Sequence, residues 1–207
     1  ATAVQAIPEI AKEAAHLTVF QRTPYFAVPL QNEVMTPEED QRIKASYAEV
    51  RQHARDSFGG MRISPARPNA MADTPEERNA HFEKRYSEGS FNIWLGTYED
   101  VIYDREANET AAEFVRSKIR QRVNDPKIAE QLCPPKGITY GTKRQPCETG
   151  YFEAYNRDNV TLVDLNETPI EEIVPEGMQT SDQVHELDYL IYATGFDAFT
   201  GSYLKMN

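Results

Sequence analysis

The first 24 residues constrain the fold most strongly, because they give a helix, a strand and a basic residue in a fixed order. Leu17-Thr18-Val19-Phe20 is a short β-branched and aromatic run of the buried-strand type, and Pro24 ends it. Before it, residues 1–15 predict a helix, with a kink or local break at Pro8. The small and apolar residues that recur there at helical spacing are Val4, Ile7, Ile10, Ala11, Ala14 and Ala15. A helix followed by such a strand predicts the second half of a βαβ unit in an α/β protein.

The residue at the end of the second strand of a nucleotide-binding βαβ unit distinguishes NAD from NADP. An acidic residue there hydrogen-bonds the ribose 2'-hydroxyl of NAD, whereas an arginine accommodates the 2'-phosphate of NADP. Arg22 occupies this position with Thr23 beside it, and Ala1-Thr2-Ala3 fits the tail of a GxGxxA turn that begins before Ala1. Taken alone, an arginine that merely ends a strand in an unrelated α/β domain explains these residues equally well.

Residues 36–133 are charged and poor in strand patterns, and they predict an insertion of several helices. Thr36-Pro37-Glu38-Glu39 and Thr74-Pro75-Glu76-Glu77 each combine a threonine cap, a proline in the first turn and acids near the positive end of the helix dipole. A further helix is expected to follow Asn108-Glu109-Thr110 and to run from Ala111 to Val123.

The last part of the sequence has strand patterns. Strands are expected at residues 159–165 and 170–174, followed by a turn at Pro175-Glu176-Gly177 and a returning hairpin arm at residues 179–187. The longest apolar run, LDYLIYA at residues 187–193, is typical of a strand that is covered on both faces in a parallel sheet.

Charge and composition disfavour several classes of function. The chain has 33 acidic and 22 basic residues, so its formal net charge is -11, and the scattered cations form no stripe that would neutralise nucleic-acid phosphates. No run approaches the roughly 18 apolar residues of a membrane-spanning helix, and the N-terminus lacks a signal-peptide pattern. The four histidines and two cysteines lack metal-ligand spacing. We therefore expect a cytoplasmic enzyme with no nucleic-acid or membrane partner and no metal site.

Two adjacent cations follow a glycine in GTKR, residues 141–144, within an acidic chain. Lys143 suits a phosphate as a point charge, and Arg144 suits the stabilisation of developing negative charge. An exposed lysine–arginine pair without a ligand is the commoner alternative, so the pair gains meaning only from its surroundings.

Three segments, in this order along the chain, resemble parts of the Baeyer–Villiger monooxygenases. The NADPH-binding segment of that family is similar to ATAVQAIPEIAKEAAHLTVFQRTPYFAVP, and the stretch with its active-site lysine–arginine pair is similar to GTKRQPCETGYFEAYNRDNVTLVDL. Its ATG signature is similar to DYLIYATGFDAFTG. The resemblance implies part of an α/β flavoprotein with two Rossmann-like dinucleotide-binding domains and a helical insertion. The implied NADP-binding domain contains residues 1–35 and 134–155, the insertion is 36–133, and 156–207 return into the FAD-binding domain.

The resemblance also implies a reaction, in which oxygen from O2 is inserted into a ketone substrate through a peroxyflavin, giving an ester or lactone. FAD and NADPH would be the cofactors. Arg144 would be the catalytic arginine, because a permanently charged guanidinium stabilises the peroxide and the tetrahedral adduct. Gln5 would contact the nicotinamide nucleotide. The other implied cofactor-binding residues are Arg22, Thr23 and Lys143 at the 2'-phosphate, and Thr194 and Gly195 where the backbone passes close to the cofactors.

Two other functions stay open at this point. A related flavin monooxygenase would oxygenate nitrogen or sulfur, and the FxGxxxHxxxW/P/D fingerprint expected before Ala1 would separate it from a ketone monooxygenase. A non-catalytic helical binding module would explain residues 36–133 in a different way. The chain is expected to be inactive alone, because the glycine-rich turns of both dinucleotide sites would precede Ala1.

Overall fold

Helices and short parallel strand pairs make up a mixed α/β fold. The structure is a computed structural model that describes residues 2–57, 60–61, 63–195 and 201–206. Residues 196–200, at the end of the ATG-like segment, lie outside these ranges. The elements are α1 Thr2–Glu13, β1 Leu17–Gln21, β2 Val28–Pro29, α2 Pro37–Ala45, α3 Tyr47–Asp56, α4 Pro75–Glu88, α5 Asn92–Leu95, α6 Arg105–Arg122, α7 Pro126–Leu132, β3 Cys147–Glu148, α8 Tyr151–Ala154, β4 Val160–Asp164, β5 Ile170–Val174, β6 Gly177–Thr180, β7 Val184–Glu186 and α9 Gly201–Leu204.

The predicted helix α1 and strand β1 are confirmed, and β1 pairs in parallel with the predicted strand β4. Leu17 lies opposite Val160, and Gln21 lies opposite Asp164. The expected boundary at residue 155 therefore divides two strands of one sheet. Helix α1 runs unbroken through Pro8, so the predicted break is wrong. The proline ring removes one hydrogen bond, and burial of Ile7, Pro8 and Ala11 offsets that loss.

A second parallel pair, β2 with β3, was not predicted. Val28 lies opposite Cys147, and Pro29 lies opposite Glu148. The Val28 N–H donates to the Pro146 carbonyl over 3.0 Å, and the Leu30 N–H donates to the Glu148 carbonyl over 2.9 Å. This pairing brings the segment after β1 beside the segment that follows Lys143 and Arg144.

The helical character of residues 36–133 is confirmed, and both predicted threonine caps form complete capping boxes. The side chain of Thr36 accepts from Glu39 N and that of Thr74 from Glu77 N. Helix α6, however, begins at Arg105, because the side chain of Asp104 caps it through Ala107 N at 2.9 Å. The predicted start near Asn108 is therefore wrong.

The C-terminal strand prediction is confirmed in part. Strand β5 is present, but the expected single arm at residues 179–187 is two short strands, β6 and β7, in a three-stranded antiparallel sheet. The apolar run at residues 187–193 forms no strand, and Tyr189 and Tyr192 are 88% and 67% exposed. A strand forms where a neighbour satisfies its backbone groups, and the described part of the chain places none beside this run.

The core joins the helices to the strand segments. Helices α4 and α6 contribute Phe82 and Phe114, whose rings lie 5.4 Å apart. Phe26, next to β2, and Tyr140, before the GTKR turn, pack edge to face at 5.1 Å. By contrast, α2 and α3 contribute no buried residue. Within the described ranges, every helix is too short or too polar to cross a membrane.

Candidate functional site

The GTKR turn, residues 141–144, lies against the segment that follows β1, and Tyr25 connects them. The Tyr25 hydroxyl accepts from the backbone N–H of Lys143 over 2.9 Å and donates to the Lys143 carbonyl over 3.1 Å. The Lys143 ammonium lies 5.7 Å from the centre of the Tyr25 ring, a cation–π distance. Tyr25 is only three residues after Arg22, roughly 10 Å of extended chain. The Tyr25 contact thus ties the turn to the chain segment that contains Arg22 and Thr23.

The side chains of Arg22, Thr23, Lys143 and Arg144 are all exposed. The backbone at Arg22 is fixed, because its carbonyl accepts from the side-chain amide of Asn166 over 2.6 Å. None of the three cations forms an ion pair with a carboxylate of the described chain. Clustered cations without carboxylate partners, in a protein of formal net charge -11, suit an anion such as a phosphate.

Two aromatic residues at helix α5 support the GTKR turn, and sequence reasoning gave neither of them a role. The Arg144 guanidinium carbon lies 5.5 Å from the centre of the Phe91 ring, and Phe91 packs on Trp94 at 5.6 Å. Gly141 has φ +80°, and a Cβ there would lie 2.5 Å from Trp94 Nε1. Only glycine fits this approach. No sequence motif connects residues 50 positions apart, so no signal was available.

The thiol of Cys147, in β3, feels two opposing effects. Burial raises its pKa, the positive charge of Arg144 lowers it, and the net pKa lies above the ordinary value. The thiol is therefore protonated at neutral pH, and it is not a ready nucleophile or metal ligand. The described residues also contain no cluster of three His, Cys, Asp or Glu side chains suited to a metal ion.

The structure does not bring the remaining predicted residues to the GTKR turn. Gln5 is exposed on α1, and Thr194 and Gly195 are exposed after the apolar run. Gly195 has φ +94°, so its backbone conformation favours glycine, although none of the described residues would crowd a side chain there. Within the described chain, none of the three residues forms a hydrogen bond or ion pair with Tyr25, Lys143 or Arg144.

The chain is similar to known monooxygenases over nearly all of its length, although no family model matches it. It is 44% identical over 204 residues to 2-oxo-Delta(3)-4,5,5-trimethylcyclopentenylacetyl-CoA monooxygenase of Pseudomonas putida, covering 98% of this chain and 37% of that protein. It is 41% identical over 211 residues to a Baeyer-Villiger monooxygenase of Pseudooceanicola batsensis, covering 100% of this chain and 38% of that protein.

Solved structures agree with these relatives. A crystal structure of OTEMO in complex with FAD and NADP matches with a TM-score of 0.93 and 43% identity, over 98% of this chain and 37% of that one.

Another relative, a phenazine N-monooxygenase of Lysobacter antibioticus, is 39% identical over 207 residues, covering 99% of this chain and 38% of that protein. The chain thus spans little more than a third of the length of these relatives.

Proposed function

We propose that the chain belongs to an enzyme that uses FAD and NADPH to oxygenate ketones. The reason is that the chain is homologous over nearly its whole length to Baeyer–Villiger monooxygenases. The balanced reaction takes ketone, O2, NADPH and a proton to ester or lactone, water and NADP⁺. The observation that carries the proposal is the contact of Tyr25 with Lys143, which ties the GTKR turn to the chain segment three residues after Arg22.

NADPH recognition is assigned to the cations on this surface. The 2'-phosphate carries the charge that separates NADPH from NADH, and the side chains of Arg22 and Lys143 supply matching positive charge. The Thr23 hydroxyl adds a small neutral donor beside them. Gln5, exposed on α1, is proposed to contact the nicotinamide nucleotide.

Arg144 is assigned to the chemical step. FAD supplies the oxygen-activating chemistry when it is bound, and the protein supplies orientation and charge. The Arg144 guanidinium is a cation with several N–H donors, so it stabilises negative charge that develops on the oxygen of the substrate. Phe91 contacts Arg144 through a ring face, which leaves the guanidinium N–H donors free for a ligand.

The proposed domain plan has two Rossmann-like dinucleotide-binding domains. Residues 1–35 and 134–155 are assigned to the NADP-binding domain, and the parallel β2–β3 pair, which joins these two segments, supports the assignment. The β1–β4 pair adds β4, which the sequence placed in the FAD-binding part, to the same domain. Residues 36–133 form the helical insertion. The rest of the chain returns to the FAD-binding domain, where the backbone at Thr194 and Gly195 is proposed to pass close to the cofactors.

The test uses the complete protein that contains this chain, loaded with FAD. NADPH oxidation is followed with cyclic and aryl ketones, and the products are identified by mass. We expect ketone-dependent oxidation that yields an ester or lactone. Arg144→Ala should lower the rate of product formation by roughly 100-fold or more, as the loss of an oxyanion-stabilising group does, while flavin stays bound. Arg157→Ala, at an exposed arginine away from the turn, is the matched control and should keep full activity.

Oxygenation of nitrogen or sulfur is the second candidate, and the phenazine N-monooxygenase among the relatives motivates it. Amines and sulfides therefore join the substrate panel. NADPH consumption with these compounds alone, giving N-oxides or sulfoxides, would replace the ketone assignment. A flavin-loaded protein that uses no NADPH with any of them would refute the cofactor assignment to Arg22 and Lys143.

A further inference from the structure

A buried asparagine of helix α6 holds the backbone at the start of the GTKR turn. The Asn108 side-chain amide donates to the carbonyls of Val101 and Tyr140, over 2.7 and 2.8 Å. Its oxygen accepts from the Tyr140 N–H over 3.0 Å. Asn108 and Tyr140 are 5% and 1% exposed. Both backbone polar groups of Tyr140 are therefore fixed by one side chain, immediately before Gly141.

The hydroxyl of Tyr140 continues this network to the other end of the turn. It lies 3.1 Å from the Ile93 carbonyl and 3.2 Å from Gln145 Oε1, and Gln145 is 2% exposed. One hydroxyl proton cannot serve two acceptors, and Gln145 Nε2 has no partner within the described chain. If the amide is turned, Nε2 donates to the Tyr140 oxygen and the hydroxyl donates to Ile93, so two hydrogen bonds form instead of one.

Buried polar contacts thus fix residues 140 and 145, which flank the turn on its two sides. Between them, the side chains of Lys143 and Arg144 are exposed and free of ion pairs with the described carboxylates. An apolar core would give comparable stability at positions 108, 140 and 145 without the cost of burying amides and a hydroxyl. Hydrogen bonds add what apolar packing lacks, which is one defined geometry.

We propose that Asn108, Tyr140 and Gln145 form a polar frame that positions Lys143 and Arg144 for coenzyme and substrate. The inference rests on the proposed function, since it concerns the same two cations. It also gives the helical insertion a role. Helix α6 contains Asn108 and helix α5 contains Ile93. The insertion therefore supplies the groups that hold the two ends of the turn.

The test compares NADPH with NADH in the complete, FAD-loaded protein. Tyr140→Phe removes the hydroxyl and keeps the ring that packs on Phe26. A displaced Lys143 weakens only the recognition of the 2'-phosphate, so the ratio of kcat/KM for NADPH to that for NADH should fall roughly three- to tenfold, as for one lost hydrogen bond. A general loss of packing would lower both values together and leave the ratio unchanged. Ketone-dependent kcat should fall as well, through Arg144.

Tyr155→Phe is the matched control. Tyr155 is also buried, and its hydroxyl donates only to Tyr151 in α8. The NADPH to NADH ratio should stay at the wild-type value in this variant. Gln145→Leu removes the partner at the other end of the frame and should lower the ratio as Tyr140→Phe does, which gives a second route if one variant folds poorly.

Two results would overturn the inference, and they differ from each other. If the wild-type protein oxidises NADPH with ketone, but both frame variants keep its coenzyme ratio and kcat within twofold, the frame has no positioning role. If the wild-type protein shows no ketone-dependent NADPH oxidation, the proposed function fails, and the frame inference fails with it.

Discussion

Arg122, the last residue of α6, offers a sharp test of how the helical region at residues 36–133 is held to the strand segments. Its guanidinium makes a two-pronged contact with Glu148 of β3, with Nη1–Oε1 at 2.7 Å and Nη2–Oε2 at 3.1 Å. A second carboxylate, Glu153, accepts from Arg122 Nε over 2.6 Å. Burial lowers the pKa of Arg122, but the hydrogen bonds to Glu153 and Glu148 raise it by more than burial lowers it. The net pKa therefore lies above the ordinary value.

The perturbation is Arg122→Met, which keeps the length of the side chain and removes its charge. The Glu148 side chain is 1% exposed, so its carboxylate would be left buried without a cation. Breaking a buried pair in this way costs about 3–5 kcal/mol. The Arg122 side chain is 22% exposed, so solvent screens part of the interaction. We therefore expect a loss of about 3 kcal/mol in the free energy of unfolding.

Arg120→Met is the matched control on the same helix. Arg120 also pairs with two carboxylates, Glu113 and Glu130, but its side chain is 37% exposed and theirs are 49% and 60% exposed. Exposed pairs of this kind contribute about 0–1 kcal/mol. Arg122 and Arg120 each pair with two glutamates, so the two variants lose the same number of ion pairs. The comparison therefore isolates the effect of burial on the free energy of unfolding.

The assay is urea unfolding of the complete protein, followed by circular dichroism. In the wild type, the Tyr151 N–H donates to Glu148 Oε2 over 3.0 Å. The double variant Arg122→Met, Glu148→Gln should recover part of the lost stability, because the neutral amide oxygen still accepts this hydrogen bond and no charge is left buried. The reasoning is refuted if Arg122→Met destabilises no more than Arg120→Met, or if the double variant loses as much as the two single losses added.

Four further predictions concern one helix cap, the GTKR turn and the Cys133 thiol. Thr74→Ala removes the cap on Glu77 N and should lower the unfolding free energy by about 1 kcal/mol in urea titration, whereas an unchanged value would deny the cap a role. Gly141→Ala puts a methyl group against Trp94 at φ +80°, so KM for NADPH should rise, and a wild-type KM would contradict the close approach. Burial raises the pKa of Cys133 to about 11, so alkylation by iodoacetamide at pH 8, followed by mass spectrometry, should be much slower than for a cysteine peptide. The same shift predicts that folded-state stability falls as pH rises from 9.0 through about 11, since the unfolded thiol ionises first.

Sequence predicted the elements whose signals are local. The threonine caps at residues 36 and 74 act within one helical turn, and both form as predicted. Strands β1 and β4 also follow from short apolar runs. Strand β2 escaped prediction because it has two residues, too few for any periodicity, and it exists only through its pairing with β3. The start of α6 was placed too late because Asp104 and Asn108 are both capping types. Asp104 caps the helix locally, whereas the Asn108 side chain is engaged in a tertiary contact with Tyr140.

The apolar run at residues 187–193 shows the opposite limit. Its composition is that of a strand covered on both faces, yet composition supplies only the side chains that such a strand would bury. The backbone hydrogen bonds must come from neighbouring strands, and those are a property of the whole sheet. In this chain the run is exposed, as Tyr189 and Ile191 show at 88% and 62%. An apolar pattern therefore predicts that a segment can form a buried strand, and a neighbouring strand is needed for that strand to form.

The candidate site shows the same division, because sequence predicted its charged residues but not the residues that contact them. Arg22 and the Lys143–Arg144 pair are visible in the sequence because charge in a defined place is a local signal. Phe91 and Asn108, which hold that turn, look like ordinary helix residues, and only the fold brings them within reach. If the proposed frame positions Lys143 and Arg144, substitutions in the helical region at residues 36–133 should change coenzyme selectivity even where they touch neither cofactor nor substrate. Such positions have no motif by which sequence could find them.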